Sequence, residues 1–328
     1  MELTWLSNFA KSWQARATQG RVPHAVMLMG ASGLGKRCAA AWIARHRLAI
    51  GDPGRLPDYP FVVPQHADLR WLTPPEDKHT IGIEQIRELV ADLSLTSYQG
   101  GGKVAVIEPA NAMTANAANS LLKTLEEPPG DTLLILVTDK TGRLPATIFS
   151  RCQRINVAVP AESESLAWLD RLRPATSWPR ALRAAGNAPL AAITAIERLE
   201  ETEAMSRDFS ALSAKRAAPL DVAAKWAKHE PYFVLDWLCR EIQRCIVGAS
   251  GATSAIADRA VSDSVLRRID RRNLFCYLDI INRLRGQPAG SFNVQLTLEC
   301  LLIDWAGDLL DCRYSSNLPP LLVASTTR

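Results

Sequence analysis

The first half of the chain alternates short apolar segments with helical patterns. The apolar segments, each long enough for one strand, lie at residues 24–29, 68–72, 103–107, 132–137 and 154–159. Between them, residues 36–49, 83–96 and 112–126 show the spacing of amphipathic helices. Strands that alternate with helices are typical of a largely parallel β-sheet covered by helices, so the sequence predicts an α/β fold for this half.

After Pro160 the strand-like segments stop, and helical patterns rich in alanine and leucine continue along the rest of the chain. Breaks in these patterns divide the helical part in two. We therefore predict three domains: an α/β domain at 1–159, a small helical domain at 160–207 and a larger helical domain at 208–328. An apolar stripe along the last pattern, 293–311, is typical of a helix that packs in a core.

Composition excludes several classes of protein. Of the 328 residues, 47% are hydrophobic and the formal net charge is only +4, so the chain is neither disordered nor strongly basic. It has neither a signal-like apolar segment at the start nor a run of about 18 apolar residues, so we expect a cytoplasmic protein without a membrane helix. Seven cysteines without a C-x-x-C pair predict reduced thiols and no zinc site.

A glycine-rich motif lies between the first strand segment and a helical pattern. Gly30, Gly33, Gly35 and Lys36 match the phosphate-binding pattern G-x-x-x-x-G-K, in which backbone N–H groups and the lysine contact phosphate. The next position requires a Ser or Thr hydroxyl for Mg²⁺, but it holds Arg37. The motif predicts a degenerate phosphate loop without one metal ligand.

A second defect follows the strand at 103–107. ATPases of this kind place an Asp for Mg²⁺ there, commonly followed by a Glu that activates water, and this chain has Glu108 and Pro109. Glu108 could hold a metal, but a proline ring accepts no proton. Two independent defects predict that the chain does not hydrolyse ATP.

Ser150, Arg151 and Cys152 form a third motif. An isolated arginine is most often a surface residue or half of an ion pair. In ring-forming P-loop ATPases, however, an arginine of one subunit commonly completes the ATP site of its neighbour. A subunit that has lost its own hydrolytic groups can still supply that arginine.

Two longer segments, 119–129 (NSLLKTLEEPP) and 144–153 (LPATIFSRCQ), closely resemble clamp-loader subunits of the AAA+ class. Within that class the chain is most similar to the bacterial delta-prime family of the DNA polymerase III holoenzyme, whose members lack ATPase activity. The resemblance is strongest over 21–159 and returns at 186–190 and 293–299.

The resemblance implies a RecA-like AAA+ domain, a helical lid and an all-α C-terminal collar that joins a pentameric ring. It implies that Arg151 is an arginine finger acting in trans. It also implies that the chain has no enzymatic activity by itself and is part of an assembled DNA-directed DNA polymerase, a nucleotidyltransferase. The implied partners are the gamma/tau ATPase subunits and the delta subunit, with the sliding clamp and primed DNA reached through the complex. Many members of this family carry a four-cysteine zinc module, but the matching residues 45–64 contain no cysteine here, so zinc is not expected.

Two other hypotheses remain open on the sequence alone. The chain could be an autonomous ATPase that tolerates Arg37 and uses Glu108 for the metal. It could also bind ATP or phosphate at Gly30–Lys36 without turnover, because phosphate docking needs only the loop and the lysine. On the lead hypothesis, the chain requires no cofactor.

Overall fold

The computed structural model describes residues 1–328 except 53–54, 77, 79, 99, 140–143, 176, 250–259, 288–289 and 308–328. The chain forms two compact units, Met1–Glu197 and Arg198–Arg328. The first unit holds the predicted α/β domain together with most of the predicted small helical domain. The finer division into three domains stays a prediction.

A parallel sheet forms the centre of the first unit. Its strands are β1 (Ala25–Met29), β2 (Leu69–Leu72), β3 (Lys103–Ile107), β4 (Thr132–Thr138) and β5 (Gln153–Asn156). They lie in the order β2-β3-β4-β1-β5, and each neighbouring pair is parallel. The predicted α/β fold with a parallel sheet is confirmed.

Helices cover both faces of this sheet. The helices described in this unit are α1 (Ser7–Thr18), α2 (Lys36–Arg47), α3 (Ile83–Leu93), α4 (Ala115–Glu126), α5 (Ala146–Phe149), α6 (Glu162–Leu172), α7 (Trp178–Ala184) and α8 (Pro189–Ala195). On β1, Val26 and Leu28 pack into the core that contains α1 and α2, whereas Ala25 and Met27 pack into the core that contains α3 and α4. Burial on both faces explains why the strand is apolar throughout.

The direction of the strands brings three segments of the chain together. β1, β3 and β4 are adjacent and parallel, so their carboxyl ends lie at one edge of the sheet. The glycine motif follows β1, Glu108 follows β3 and Thr138 ends β4. Ligand sites of open α/β sheets lie at this edge, so the fold positions the predicted loop and the predicted metal position side by side.

The second unit is helical in all of its described elements. They are a 3-10 turn that leads into it (Ile196–Arg198), α9 (Leu199–Ser213), α10 (Pro219–Trp226), α11 (Pro231–Ala249), α12 (Asp263–Leu266), α13 (Arg271–Leu284) and α14 (Val294–Ala306). Phe209 is fully buried at the centre, with its ring 4.8 Å from that of Trp305 and 5.7 Å from that of Trp237. The predicted helical C-terminal region is confirmed, and its core depends on this aromatic cluster.

One cysteine differs from the sequence prediction. Cys38, Cys152, Cys239 and Cys245 are buried thiols, and Cys300 is a half-buried thiol. Cys276 is in a disulfide, so the prediction of seven reduced thiols is wrong at this residue. The spacing of cysteines along a chain does not show which two thiols the fold brings close enough to bond.

Within the part of the chain that the structure describes, no helix is long and apolar enough to cross a membrane. In the same residues, no three His, Cys, Asp or Glu side chains cluster in a way that could hold a metal ion.

Candidate functional site

Residues 30–35 form the loop between β1 and α2, as the glycine motif predicts. Three of its glycines have positive φ: 141° at Gly30, 82° at Gly33 and 89° at Gly35. L-residues with side chains rarely adopt such angles, so the backbone alone requires glycine at these positions.

Packing gives Gly30 and Gly35 a second reason to lack a side chain. A Cβ at Gly30 would lie 2.7 Å from the carbonyl oxygen of Val157, and one at Gly35 would lie 2.7 Å from the side chain of Leu3. Both distances are shorter than carbon atoms tolerate. These two glycines therefore serve the packing of the loop against the protein itself.

Gly33 is in contact with the first turn of α8. A Cβ at Gly33 would lie 2.5 Å from Ala191, and the backbone N–H of Leu190 donates to the carbonyl of Gly33 over 3.0 Å. The helical region after the sheet is thus hydrogen-bonded to the loop. The contact holds the loop and α8 together.

Lys36, the first residue of α2, turns back onto the loop. Its Nζ donates to the carbonyl oxygens of Gly30, over 2.9 Å, and Ala31, over 2.5 Å, and the side chain is buried. Burial lowers the pKa of Lys36, although Asp139 and Glu108 act in the opposite direction. The amine that would contact phosphate is bonded to its own loop.

Arg37 forms an ion pair with Glu108 across the edge of the sheet. The Nε of Arg37 lies 2.5 Å from Oε1 of Glu108, and the guanidinium lies over the ring of Phe61, 4.4 Å from its centroid. The side chain of Arg37 is 54% exposed and that of Glu108 only 10%. The carboxylate is therefore the buried partner and depends on the arginine for its counter-charge.

One further side-chain contact holds Glu108. The indole N–H of Trp71 on β2 donates to Oε2 over 3.1 Å, so both carboxylate oxygens have a partner. Burial raises the pKa of Glu108, and the neighbouring Arg37 acts against that rise. The residue after it is Pro109, whose side chain cannot accept a proton and whose backbone has no N–H donor.

The arrangement does not fit a magnesium nucleotide. Arg37 lies at the position that normally carries the metal-binding hydroxyl, and Glu108 lies at the position of the metal-binding carboxylate. These two side chains bind each other. The guanidinium thus provides the positive charge that Mg²⁺ would provide. A cavity of about 430 Å³ lies beside them, bordered by Lys36, Arg37, Thr138 and Ala191 among others.

Arg151 lies in the turn between α5 and β5 and has three partners. Its Nε donates to Oε1 of Glu126 over 2.7 Å, and its Nη2 donates to the same oxygen. Its Nη1 donates to the carbonyl of Thr147, over 3.0 Å, and to Oγ of Ser150, over 3.1 Å. None of these partners borders the cavity beside Lys36.

The structure therefore divides the predicted site residues into two groups. Gly30, Gly33, Gly35 and Lys36 lie together at the edge of the sheet, whereas Arg151 belongs to a separate cluster. The sequence prediction did not include Phe61, Trp71, Ala191 or Glu126, each of which contacts a predicted site residue. Of these, only Glu126 had a visible signal, because it lies in the segment LEEPP that supported the family resemblance.

Known proteins resemble the chain over most of its length. A family model described as "DNA polymerase III, delta subunit" matches residues 5–161. The chain is 30% identical over 315 residues to DNA polymerase III subunit delta′ of Pseudomonas aeruginosa, covering 90% of this chain and 95% of that protein. It is also 30% identical to the Haemophilus influenzae subunit delta′, over 70% and 72% of the two chains.

A solved structure is similar at a lower level. The DNA polymerase III gamma subunit-related protein of Thermotoga maritima aligns with a TM-score of 0.44 and 18% identity. The alignment covers 93% of this chain and 99% of that one.

Proposed function

The chain belongs to the family of DNA polymerase III delta′ subunits, and from that membership we propose that it is a rigid, non-hydrolysing subunit of the replicative clamp loader. In this proposal the subunit stabilises a pentameric ring and supplies Arg151 to the ATP site of a neighbouring subunit. The ring partners are the gamma/tau ATPase subunits and the delta subunit. Through the assembled complex, the subunit takes part in loading the sliding clamp on primed DNA.

The ion pair between Arg37 and Glu108 is the observation that best supports the proposed absence of ATP hydrolysis. Hydrolysis at a P-loop requires Mg²⁺ to neutralise the phosphate charge and a base or polar group to orient water. Arg37 replaces the residue whose hydroxyl binds the metal and pairs with Glu108 instead, and Pro109 replaces the residue that would act as the base. Both requirements are unmet in the same cluster, so we expect no ATP hydrolysis at this loop.

The position of Arg151 supports a role in trans. Its contacts lie outside the cavity of its own degenerate loop, so it does not serve that loop. An arginine supplied by a neighbour stabilises the charge of the transferring phosphoryl group and accelerates hydrolysis by about 10³ to 10⁵. The subunit would thereby control turnover at a site that it does not itself contain.

The test compares arginine variants in the reconstituted clamp loader. We expect Arg151→Ala to leave assembly intact and to lower DNA-stimulated ATP turnover sharply. Arg154→Ala is the matched control, because Arg154 is an exposed arginine three residues further along. Unchanged turnover in the Arg151→Ala complex would refute the role in trans.

A second measurement tests the absence of hydrolysis. The purified subunit, without partners, is incubated with Mg²⁺ and ATP. We expect no turnover above background, and the same result for Lys36→Ala. If the subunit hydrolyses ATP and Lys36→Ala abolishes the activity, it is an autonomous ATPase and the proposal is wrong.

A further inference from the structure

The side chains of Glu126 and Arg151 form an ion pair at the end of α4. We propose that Glu126 is a positioning residue for Arg151: its carboxylate fixes one edge of the guanidinium so that a single N–H remains to contact phosphate on a neighbouring subunit. This inference rests on the proposed function, because it describes how the finger is held before it acts.

The hydrogen bonds of Arg151 determine which donor stays free. An arginine has five N–H donors in a planar fork. Glu126 accepts from Nε and Nη2, and Thr147 and Ser150 accept from Nη1. Among the described contacts, one N–H on Nη2 is therefore left without a partner, at the end of the guanidinium away from Nε.

Glu126 is a suitable anchor because its helix is held by the sheet. It is the last residue of α4, and the buried residues Leu121 and Leu125 pack that helix into the core shared with α3. The partners of Nη1, by contrast, lie within four residues of Arg151 along the chain. Among the described contacts, only Glu126 connects the guanidinium to an element that is distant in sequence.

Removing Glu126 would leave the guanidinium held at Nη1 alone, so it could rotate about that point. A phosphoryl-transfer site loses rate when a contacting group is displaced. The two side chains are 32% and 49% exposed, and an exposed pair is worth only a few-fold in an equilibrium. We therefore expect a modest effect, a drop of about two- to fivefold in turnover.

The test uses the reconstituted clamp loader with primed DNA and measures kcat and KM for ATP. Glu126→Ala lowers kcat about two- to fivefold and leaves KM unchanged, because Glu126 does not touch the nucleotide. Glu126→Gln keeps an acceptor oxygen at the same length and recovers most of kcat. Glu127→Ala removes the same charge from the adjacent exposed residue and has no effect.

A double variant separates positioning from a general structural effect. If Glu126 acts through Arg151, then Glu126→Ala causes no further loss when Arg151 is already alanine. An additional loss in that background overturns the inference. So does an unchanged or raised kcat in Glu126→Ala alone, since a raised value means that the carboxylate competes with phosphate.

The outcomes distinguish this inference from the proposed function. If Arg151→Ala leaves turnover unchanged, the role of the subunit in trans is wrong and the positioning role is wrong with it. If Arg151→Ala lowers turnover but Glu126→Ala does not, only the positioning role is wrong.

Discussion

Replacing Arg37 with alanine should destabilise the first unit, because the nearly buried Glu108 then loses its ion-pair partner. Exposed ion pairs contribute about 0.2–1 kcal/mol, whereas removing one partner of a buried pair costs about 3–5 kcal/mol. This pair lies between the two, because Arg37 is 54% exposed and Glu108 only 10%. We therefore expect a loss of about 2 kcal/mol, which includes the contact of the guanidinium with Phe61.

Hydrogen exchange under increasing urea measures this loss in the full chain. Peptides that cover β3 report the unfolding free energy of the first unit, even where the second unit unfolds separately. A double-mutant cycle with Glu108→Gln isolates the pair. We expect Glu108→Gln to relieve part of the damage in the Arg37→Ala background, because no buried carboxylate is then left without a counter-charge.

The same variants should differ in their dependence on pH. Burial raises the pKa of Glu108 above its ordinary value of 4.5. Protonation of Glu108 therefore contributes stability that is fully present below pH 4.5 and is lost as the pH rises through the raised pKa. Without Arg37 the pKa rises further, so Arg37→Ala loses more stability than wild type over this range, and Glu108→Gln removes the difference. A coupling energy below about 0.5 kcal/mol, or equal pH profiles, would refute this account of the ion pair.

Three further predictions concern other parts of the chain. Gly33→Ala should cost about 2–4 kcal/mol in thermal unfolding, because φ is 82° and the new Cβ would lie 2.5 Å from α8, whereas Gly130→Ala, with φ 55° and open space, should cost about 1 kcal/mol. Iodoacetamide at pH 8 should label Cys38 and Cys152 only after unfolding, because burial raises the pKa of these thiols to about 11 and about 12; labelling of the native protein would contradict this. Phe209→Ala should cost about 3–5 kcal/mol in the second unit, and a loss below about 1 kcal/mol would mean that the aromatic cluster is not its core.

The sequence allowed most of the sheet to be predicted, because its strands are buried on both faces. The segment 103–107 matches β3 at both ends, and 132–137 is one residue shorter than β4. The prediction was less accurate at β5, where 154–159 was expected and Gln153–Asn156 is found. β5 is an edge strand, and Val159 is half-exposed, so an apolar side chain there does not indicate a strand.

The contacts of the candidate site could not be predicted in the same way. The motifs showed that Arg37 and Pro109 are unusual residues for an ATPase, but not that Arg37 and Glu108 bind each other. That contact depends on the adjacency of β1, β4 and β3, which a single sequence does not specify. For the same reason Glu126 was interpreted only as the end of a helix, although its side chain binds Arg151.

The two arginine–carboxylate pairs have the same chemistry, but burial gives them different properties. Glu108 is nearly buried and both of its oxygens have partners, so separating it from Arg37 would leave a buried carboxylate without its ion-pair partner. Glu126 is half-exposed, and water can replace Arg151 at little cost. The first pair is therefore suited to hold the degenerate loop in one state, whereas the second is suited to orient an arginine that must also contact a neighbouring subunit.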